Sequence, residues 1–485
     1  MTISPPKTST GSTGSSYDIA VIGAGPGGYV AAIRAAQMGA QVLVIEKDEL
    51  GGTCLNWGCI PTKAFLSDVK PLRRIKISSV YEGKEGLSLN LKKMVNRKNE
   101  VVSTMVDGIA ILFKSNHIHR VRGVASFLDS KTIGVAQDGK QETYTAKGII
   151  IATGSTAGTI PALNIDGRKV LSTNDILTIP KIPRDLVIIG GGAIGIQFAT
   201  IFNALGTEVT VVEMLPKILA TEDDEVIRRL QRVLEGDGIT ILTDVEVPGG
   251  RPRGNKVEIE FQEKSGGKSQ LRAEKVLIAA ARTPCTEGLG LETIGCRMDG
   301  SFIEVNARME TNVDGVYAVG DVIGKMMFAH AASAEGVIAV ENIMGKSREI
   351  DYRRIPTCVY TLPEIASVGM REREARESGL DFRIGRFPYR ASGKAVAMGE
   401  PEGFVKIIAD TESGEILGVH ILGENAADLI GECVLAMNLE AAIEDLADVV
   451  KAHPTFSEAI AEAALDWSRI SIHQPRKKIP RQGTS

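Results

Sequence analysis

Cysteine is scarce: the 485-residue chain has six. That excludes a disulfide-stapled scaffold, which is short and cysteine-dense. Four of the six, Cys285, Cys296, Cys358 and Cys433, show no metal-ligand spacing and read as packing residues. Long apolar runs are also missing. No uncharged stretch approaches ~18 residues, so no transmembrane helix is expected. Charge of one sign is missing too. Lys+Arg 56 against Asp+Glu 60 leaves a net charge of −4, which gives no electrostatic basis for binding nucleic acid. Residues 1–16 are mostly Ser, Thr, Gly and Pro. They lack the apolar core of a secretory signal and the arginines of a transit peptide, so a flexible tail on a cytoplasmic chain is expected. The basic C-terminal stretch Pro475-Arg476-Lys477-Lys478 has no apolar face and reads as a solvated tail, not a membrane anchor.

Glycine is what the chain has in excess, 52 residues, about 11% against a usual ~7%. No three-residue period exists, so collagen is excluded. Hydrophobic residues at 43% and charged residues at 24% allow a packed core. The length suggests about three domains.

Much of the glycine belongs to a repeat. From Asp18 to Asp48 run an apolar strand, Gly23-x-Gly25-x-x-Gly28, an Ala-rich helix, Gly39 and a strand ending in Glu46. From Asp185 the same order returns as Gly190-x-Gly192-x-x-Gly195, a helix, Gly206 and a strand ending in Glu213. Each pair is offset by 167 residues (190 − 23, 206 − 39, 213 − 46). In such a unit the first glycine permits the turn, the second lets backbone approach a pyrophosphate, and the third lets helix pack on strand. The helix N-terminus offers free N–H groups to phosphates. The acid can accept two ribose hydroxyls. Both copies therefore read as dinucleotide sites. Glu213 would repel a 2′-phosphate and no Arg follows it directly, so the second site should prefer NAD(H).

Between the first copy and Lys63 lies Cys54-Leu-Asn-Trp-Gly-Cys59. Residues five apart on a regular helix are roughly 8–9 Å apart, and a disulfide tolerates at most ~7 Å. A Cys54–Cys59 bond needs a distorted turn, which Pro61 favours. Two reduced structural cysteines remain the alternative.

The stretch Gly51-Gly-Thr-Cys54-Leu-Asn-Trp-Gly-Cys59-Ile-Pro-Thr-Lys63 resembles the redox motif of the pyridine nucleotide-disulfide oxidoreductases, and within them the dihydrolipoyl dehydrogenase branch. The resemblance covers about residues 17–470. It includes Ile151-Ala-Thr-Gly-Ser155, Thr311 to Asp321, Met327-Phe-Ala-His330, Pro363 to Gly369 and Ala452-His453-Pro-Thr-Phe-Ser-Glu458. It implies an α/β chain with two Rossmann-like dinucleotide-binding domains and a C-terminal α+β dimerisation domain. The expected boundaries are a tail over 1–16, an FAD domain over 17–155, an NAD domain over 156–284 and a central segment over 285–353. An interface domain over 354–472 and a basic tail over 473–485 complete the chain. A helical hairpin is expected near 62–115, with Val101, Met105, Ile109 and Leu112 at helical spacing.

The same resemblance implies FAD and NAD as cofactors and a homodimer. The reaction would oxidise protein-bound dihydrolipoyl groups with NAD+. The partner would be a lipoylated carrier of a 2-oxoacid dehydrogenase or glycine cleavage complex. Cys54 would be the sulfur that exchanges with substrate and Cys59 the one facing the flavin. His453, polarised by Glu458, would be the general base, brought to the disulfide across a dimer interface. Gly52, Thr53, Lys63, Ala125, Thr153, Gly154, Ser155, Gly320, Asp321, Met327, Phe328, Ala329 and His330 would surround FAD. Ala193, Ile194, Gln197, Val245, Ala281 and Arg282 would join the second glycine loop around NAD.

Two departures fall on the NAD side. Gln197 stands where the family carries a glutamate paired with the flavin-side lysine. Ala281 stands where the family has a glycine near the nicotinamide. Two other readings therefore stay open: a related flavin-disulfide reductase for another substrate, or a docking subunit with attenuated NAD chemistry. Of the remaining histidines, His117 and His119 read as surface residues, His420 as a strand residue and His473 as part of the tail.

Overall fold

The computed structural model describes residues 16–475. The expected N-terminal tail, apart from Ser16, and the basic residues from Arg476 on lie outside them. The chain divides into two compact units. The first holds the described residues up to Ala64, Val95–Gly158 and Arg282–Asp351; the second holds Phe65–Met94, Thr159–Ala281 and the described residues from Tyr352 on.

The first passage supplies β1 (Ser16–Ile22), α1 (Pro26–Gln37), β2 (Val42–Glu46), the short α2 (Gly52–Asn56) and the start of α3 (Cys59–Ile77). Next come α4 (Leu91–Ser115), β3 (His119–Arg122), β4 (Val124–Asp129), β5 (Thr132–Gln137), β6 (Lys140–Ile151) and β7 (Ser155–Ala157). The second unit then builds β8 (Val170–Leu171), β9 (Asp185–Ile189), α5 (Ala193–Ala204), β10 (Glu208–Val212) and α6 (Asp224–Gly236). It continues with β11 (Thr240–Leu242), β12 (Val245–Arg253), β13 (Lys256–Glu263), β14 (Lys268–Ala273) and β15 (Lys275–Ile278). The chain returns to the first unit through β16 (Arg282–Pro284), β17 (Met298–Asp299), β18 (Phe302–Ile303), β19 (Val316–Ala318) and α7 (Ala329–Ile343).

In the first unit a parallel sheet runs β3-β2-β1-β6-β19, and β4 and β5 form an antiparallel meander on the long β6. In the second unit the parallel order is β11-β10-β9-β15-β8, with a separate meander β12-β13-β14. The inner strands of both parallel sheets carry nearly continuous apolar runs, such as Val42–Ile45 and Leu186–Ile189, that are buried. The expected helical hairpin is present as α3 and α4. On α4 only Ile109 of the four spaced apolar residues is fully buried; Met105 and Leu112 are 47% and 45% exposed. The helical period is real, but the face it marks is wider than the strip the unit covers.

The rest of the second unit is an antiparallel sheet, β20 (Thr357–Val359), β21 (Glu364–Gly369), β22 (Phe382–Pro388), β23 (Phe404–Asp410) and β24 (Ile416–Gly423), ordered β20-β21-β24-β23-β22. Helices α8 (Glu372–Glu377), α9 (Gly393–Ala397), α10 (Ala426–Asn438), α11 (Ile443–Asp448) and α12 (Glu458–Trp467) accompany it. A polar row crosses this sheet. Lys406 is paired in register with His420, which faces Ser367. Lys406 is buried and binds Asp223 at 2.9 Å and Glu372 at 2.7 Å, while Glu222 accepts from Thr357 at 3.0 Å and Ser367 at 2.9 Å. Burial opposes ionisation of Asp223, but His420 and Lys406 outweigh it and hold the carboxyl down to about 2. The start of α6 is thus tied to the sheet by buried, paired charges.

Candidate active site

The first glycine turn lies between β1 and α1. Gly23 has φ +100°, and a Cβ there would lie 2.4 Å from the Ala152 carbonyl oxygen. A Cβ on Gly28 would lie 1.9 Å from the Gly23 carbonyl oxygen, so only glycine lets the helix sit this close. Gly25 caps α1 without any side-chain bond, and Pro26 comes next. The first-turn N–H groups are therefore left for a ligand. A Cβ on Gly52 would come within 2.7 Å of Gly25 Cα, so the two backbones meet as bare main chain. Glu46 ends β2. It accepts the Ala24 N–H at 2.7 Å on one oxygen and the Asp48 N–H at 2.8 Å on the other. Each oxygen keeps a lone pair for a ribose hydroxyl. This cradle, closed to any side chain, fits FAD.

The predicted flavin-side residues share this unit. Ala125 lies buried in β4 opposite Val135. Thr153 donates to the Cys285 carbonyl at 2.8 Å, and Thr53 to the Ser155 carbonyl at 3.2 Å. Ser155 donates its hydroxyl hydrogen to Asp321, which comes directly after Gly320 in a short turn. Met327 and Phe328 lead into α7 at Ala329, and the Phe328 and His330 rings stack at 5.4 Å. Arg282, which the resemblance puts on the nicotinamide side, donates through Nε to Ser155 Oγ at 2.6 Å and through Nη2 to the Ser155 carbonyl at 2.6 Å, and pairs with Asp321 at 3.4 Å. Nothing in the local sequence announces this clamp, because Ser155 is 127 residues earlier.

The second turn repeats the first. Gly190 has φ +112°, and a Cβ on Gly195 would lie 1.9 Å from the Gly190 carbonyl oxygen. Gly192 caps α5 without a side-chain bond, and Ala193 and Ile194 open the helix. Glu213 accepts the Gly191 N–H at 2.6 Å and the Leu215 N–H at 2.9 Å. Val245 is buried and donates to the Glu213 carbonyl at 3.1 Å. Gln197 is buried in α5. Ala281 has φ +55°, so the backbone keeps a left-handed turn despite the methyl group. This cradle fits NAD by the same test.

Between the cysteines the helix breaks. α2 ends at Asn56, Trp57 leaves helical geometry with φ −135°, and α3 begins at Cys59. Gly58 has little space: a Cβ would lie 3.0 Å from the Thr53 carbonyl oxygen. Thr62 closes the new helix by bonding the Gly58 carbonyl through both its N–H, at 3.1 Å, and its hydroxyl, at 2.6 Å. The break brings the Cys54 and Cys59 thiols into hydrogen-bond contact. That bond lowers Cys59 to about 7 against burial, with help from the Lys63 ammonium. The same bond and burial push Cys54 up. Of the two sulfurs, Cys59 is the one whose thiolate is favoured, by the Cys54 hydrogen bond and the Lys63 charge.

His453 precedes α12. Its Nδ1 lies 2.8 Å from Glu458 Oε1, and the other Glu458 oxygen accepts the Thr455 N–H at 2.8 Å. The ring is 78% exposed, and Nδ1 is the anchored nitrogen. The other histidines divide. His117 is exposed and His420 is fully buried in β24. His119, read as a surface residue, is half-buried in β3, bonded to the Tyr17 hydroxyl and stacked on its ring at 5.7 Å. The partner is 102 residues away, which local reading does not reach. His473 is not free in a tail, since it is bound to Glu462 at 2.7 Å. Among the described residues no helix is long and apolar enough to cross a membrane.

Comparison with known proteins agrees with this geometry. Residues 17–336 match the pyridine nucleotide-disulphide oxidoreductase family, and residues 355–464 match its dimerisation domain. The chain is 43% identical over 462 residues to the mitochondrial dihydrolipoyl dehydrogenase of Pisum sativum, covering 94% of this chain and 92% of that protein. It is 40% identical over 460 residues to the dihydrolipoyl dehydrogenase of Thermus scotoductus, covering 94% and 98%. Among solved structures, the HOCl-induced flavoprotein disulfide reductase of Escherichia coli, as its Cu(II) complex, superposes with a TM-score of 0.84. It is 27% identical, covering 93% of this chain and 99% of that one. The chain belongs to the pyridine nucleotide-disulphide oxidoreductase family.

Proposed function

We propose that the protein is a dihydrolipoyl dehydrogenase, which oxidises protein-bound dihydrolipoyl groups and reduces NAD+. The carrying observation is the thiol pair itself: Cys59 is lowered to about 7 by Cys54 and Lys63, one short helix beyond a cradle that fits FAD. The relatives named dihydrolipoyl dehydrogenase support the substrate class.

His453 is the base. Glu458 holds its Nδ1, so Nε2 accepts the proton of a substrate thiol. The substrate thiolate attacks Cys54 of the oxidised pair, breaking the Cys54–Cys59 bond and leaving Cys59 as thiolate. The second substrate thiol passes its proton to the departing Cys54 sulfur as it attacks the first substrate sulfur. This closes the lipoyl ring and releases Cys54. Two electrons have then moved from substrate to the cysteine pair. Gly23, Gly25, Gly28 and Glu46 would hold FAD, and Gly190, Gly192, Gly195 and Glu213 would hold NAD+; the flavin would supply the two-electron relay between the pair and the nicotinamide. Lys63 offsets the charge on the reduced pair. Glu213 favours NAD+ over its 2′-phosphorylated form.

The dimerisation-domain match supports a homodimer. In this reading His453 serves the cysteine pair across the dimer, the partner is a lipoylated carrier of a 2-oxoacid dehydrogenase or glycine cleavage complex, and the enzyme works in the cytoplasm. The test is NADH formation from dihydrolipoamide and NAD+ by purified, FAD-loaded protein. Steady turnover that falls at least 100-fold in Cys54→Ser and in His453→Gln is expected. A negligible rate in the FAD-loaded wild type overturns the reading.

A further inference from the structure

Ser155, Arg282 and Asp321 come from three passages of the chain and meet in the first unit through one directed chain of hydrogen bonds. Arg282 Nε donates to Ser155 Oγ at 2.6 Å. A serine hydroxyl has a single hydrogen, and here it goes to Asp321 Oδ2. The guanidinium Nη2 donates to the Ser155 carbonyl at 2.6 Å, and the same carbonyl accepts from Thr53, the residue before Cys54, at 3.2 Å. Arg282 Nε lies 3.4 Å from the same Asp321 oxygen. The group is shielded from water: the Arg282 and Asp321 side chains are 16% and 23% exposed, and Ser155 is buried.

The backbones here are held by other bonds. β7 and β16 pair antiparallel, with Arg282 opposite Ala157 and Pro284 opposite Ser155. The ribbon continues through the Cys285 N–H to the Gly154 carbonyl at 2.9 Å and the Thr153 hydroxyl to the Cys285 carbonyl at 2.8 Å. The Asp321 turn has its own anchor: Gly320 has φ +79°, and its N–H donates to the buried Glu335 at 2.6 Å. What the arginine adds is the orientation of the Asp321 carboxylate. It occupies the accepting side of the Ser155 hydroxyl, so the hydrogen points onward, and its charge polarises that hydroxyl. Both anchors fall on Oδ2, and among the described residues no hydrogen bond reaches Oδ1.

We propose that Arg282 is a positioning residue for the flavin site: acting through Ser155, it holds Asp321 by Oδ2 and leaves Oδ1 to accept a hydroxyl hydrogen of FAD. The inference rests on the FAD part of the reading above and not on its substrate. Without the guanidinium, the Ser155 hydroxyl can turn to another acceptor, the Asp321 carboxylate loses its fixed orientation, and its charge is no longer offset. Lysine would restore the charge but not the hold, because one ammonium cannot reproduce the fork that reaches Ser155 Oγ and the Ser155 carbonyl together.

The test is a double-mutant cycle on FAD binding by the full-length protein, with the dissociation constant measured by ultrafiltration. Arg282→Met and Asp321→Asn should each weaken FAD about tenfold or more, as for one lost charge-assisted bond. If Arg282 acts through Asp321, the double variant should bind FAD no more weakly than the weaker single variant. Losses that multiply overturn the proposal, because independent sites add in free energy. Should Arg282→Met fail to fold, Ser155→Ala carries the same cycle, since it breaks the chain of bonds and leaves the guanidinium in place. Arg282→Lys should also lose FAD; wild-type affinity there overturns the positioning role. The flavin midpoint potential gives a second readout. It should fall in Arg282→Met, where the Asp321 charge is uncompensated, and return toward wild type when Asp321→Asn is added. A potential unmoved by Arg282→Met overturns the proposal. A wild type that binds no FAD overturns the dihydrolipoyl dehydrogenase reading as well, whereas the other adverse outcomes leave that reading standing.

Discussion

The two glycine-turn folds keep the same hydrogen bonds and differ in the segment after their second strand. Glu46 accepts the N–H groups of Ala24 and Asp48; Glu213 accepts those of Gly191 and Leu215. The partners obey the 167-residue offset, as do Gly39 at φ +89° and Gly206 at φ +92°. Helices α1 and α5 both have 12 residues. After Glu46, however, the chain turns into Gly51-Gly52 and the cysteine pair. After Glu213 it runs through exposed Met214 and Leu215 toward α6. The repeated part thus builds the same cradle twice, and the cysteine pair is an addition made to one copy only.

The largest effects should come from the third glycines. Gly28→Ala and Gly195→Ala each put a Cβ 1.9 Å from a backbone oxygen, so the helix must shift. Overpacking of this kind costs at least about 1–3 kcal/mol. The variants should nevertheless fail differently: Gly28→Ala should be purified with little or no flavin, while Gly195→Ala should keep its flavin and lose NADH binding. Flavin absorbance per protein and a NADH titration measure both. Normal NADH affinity in Gly195→Ala would break the equivalence of the two turns.

The addition to the first copy can be probed by thiol titration. In the reduced protein, alkylation of Cys59 should rise with a midpoint near pH 7. Cys54→Ala removes the hydrogen bond that is the main cause of the lowering, so the midpoint should climb toward the ordinary thiol value of 9.0. Lys63→Met should move it the same way by less, about 0.5–1 unit, since only one cation is lost. A midpoint that stays near 7 in Cys54→Ala would show that the pair does not activate Cys59.

The acids come next. Glu213→Gln keeps one acceptor oxygen but sets an N–H group against a backbone N–H, so NADH affinity should fall about tenfold. NADPH should lose less, because the carboxylate no longer repels its 2′-phosphate. Glu46→Gln should weaken flavin retention and leave NADH binding alone. Equal losses for NADH and NADPH in Glu213→Gln would remove the ribose role from that acid.

These pairs are legible in the sequence because strand, turn, helix and acid are contiguous, and their φ requirements and spacing are local. His453 and Glu458 can be named only through resemblance, since five residues of separation do not fix a contact. Arg282 escapes a local reading because its partners, Ser155 and Asp321, come from two other passages of the chain. His119 and His473 escape it for the same reason: Tyr17 and Glu462 hold them from outside their own segments. On α4 the apolar period predicts the helix and not the covered width, because burial depends on the neighbours present.

A second correspondence between the copies emerges only from the folded backbone. Ile151-Ala-Thr-Gly154-Ser ends β6, and Ile278-Ala-Ala-Ala281-Arg ends β15, 127 residues later (278 − 151). Ala152 crowds Gly23 as Ala279 crowds Gly190, and Gly154 at φ +69° matches Ala281 at φ +55°. The two turns share a backbone, but one carries a methyl group. Left-handed backbone costs a non-glycine residue roughly 1–2 kcal/mol, while glycine costs about 0.5–1 kcal/mol through its looser unfolded chain. A Cβ on Gly154 would meet nothing within 4 Å, so Gly154→Ala bears only the conformational cost and should lose about 0.5–1 kcal/mol. Ala281→Gly should gain a similar or smaller amount. Denaturant melts of both variants give the two signs. If Ala281→Gly is instead destabilising by more than about 1 kcal/mol, the Ala281 methyl group has a packing role that its backbone angle does not reveal, and the two turns are not equivalent.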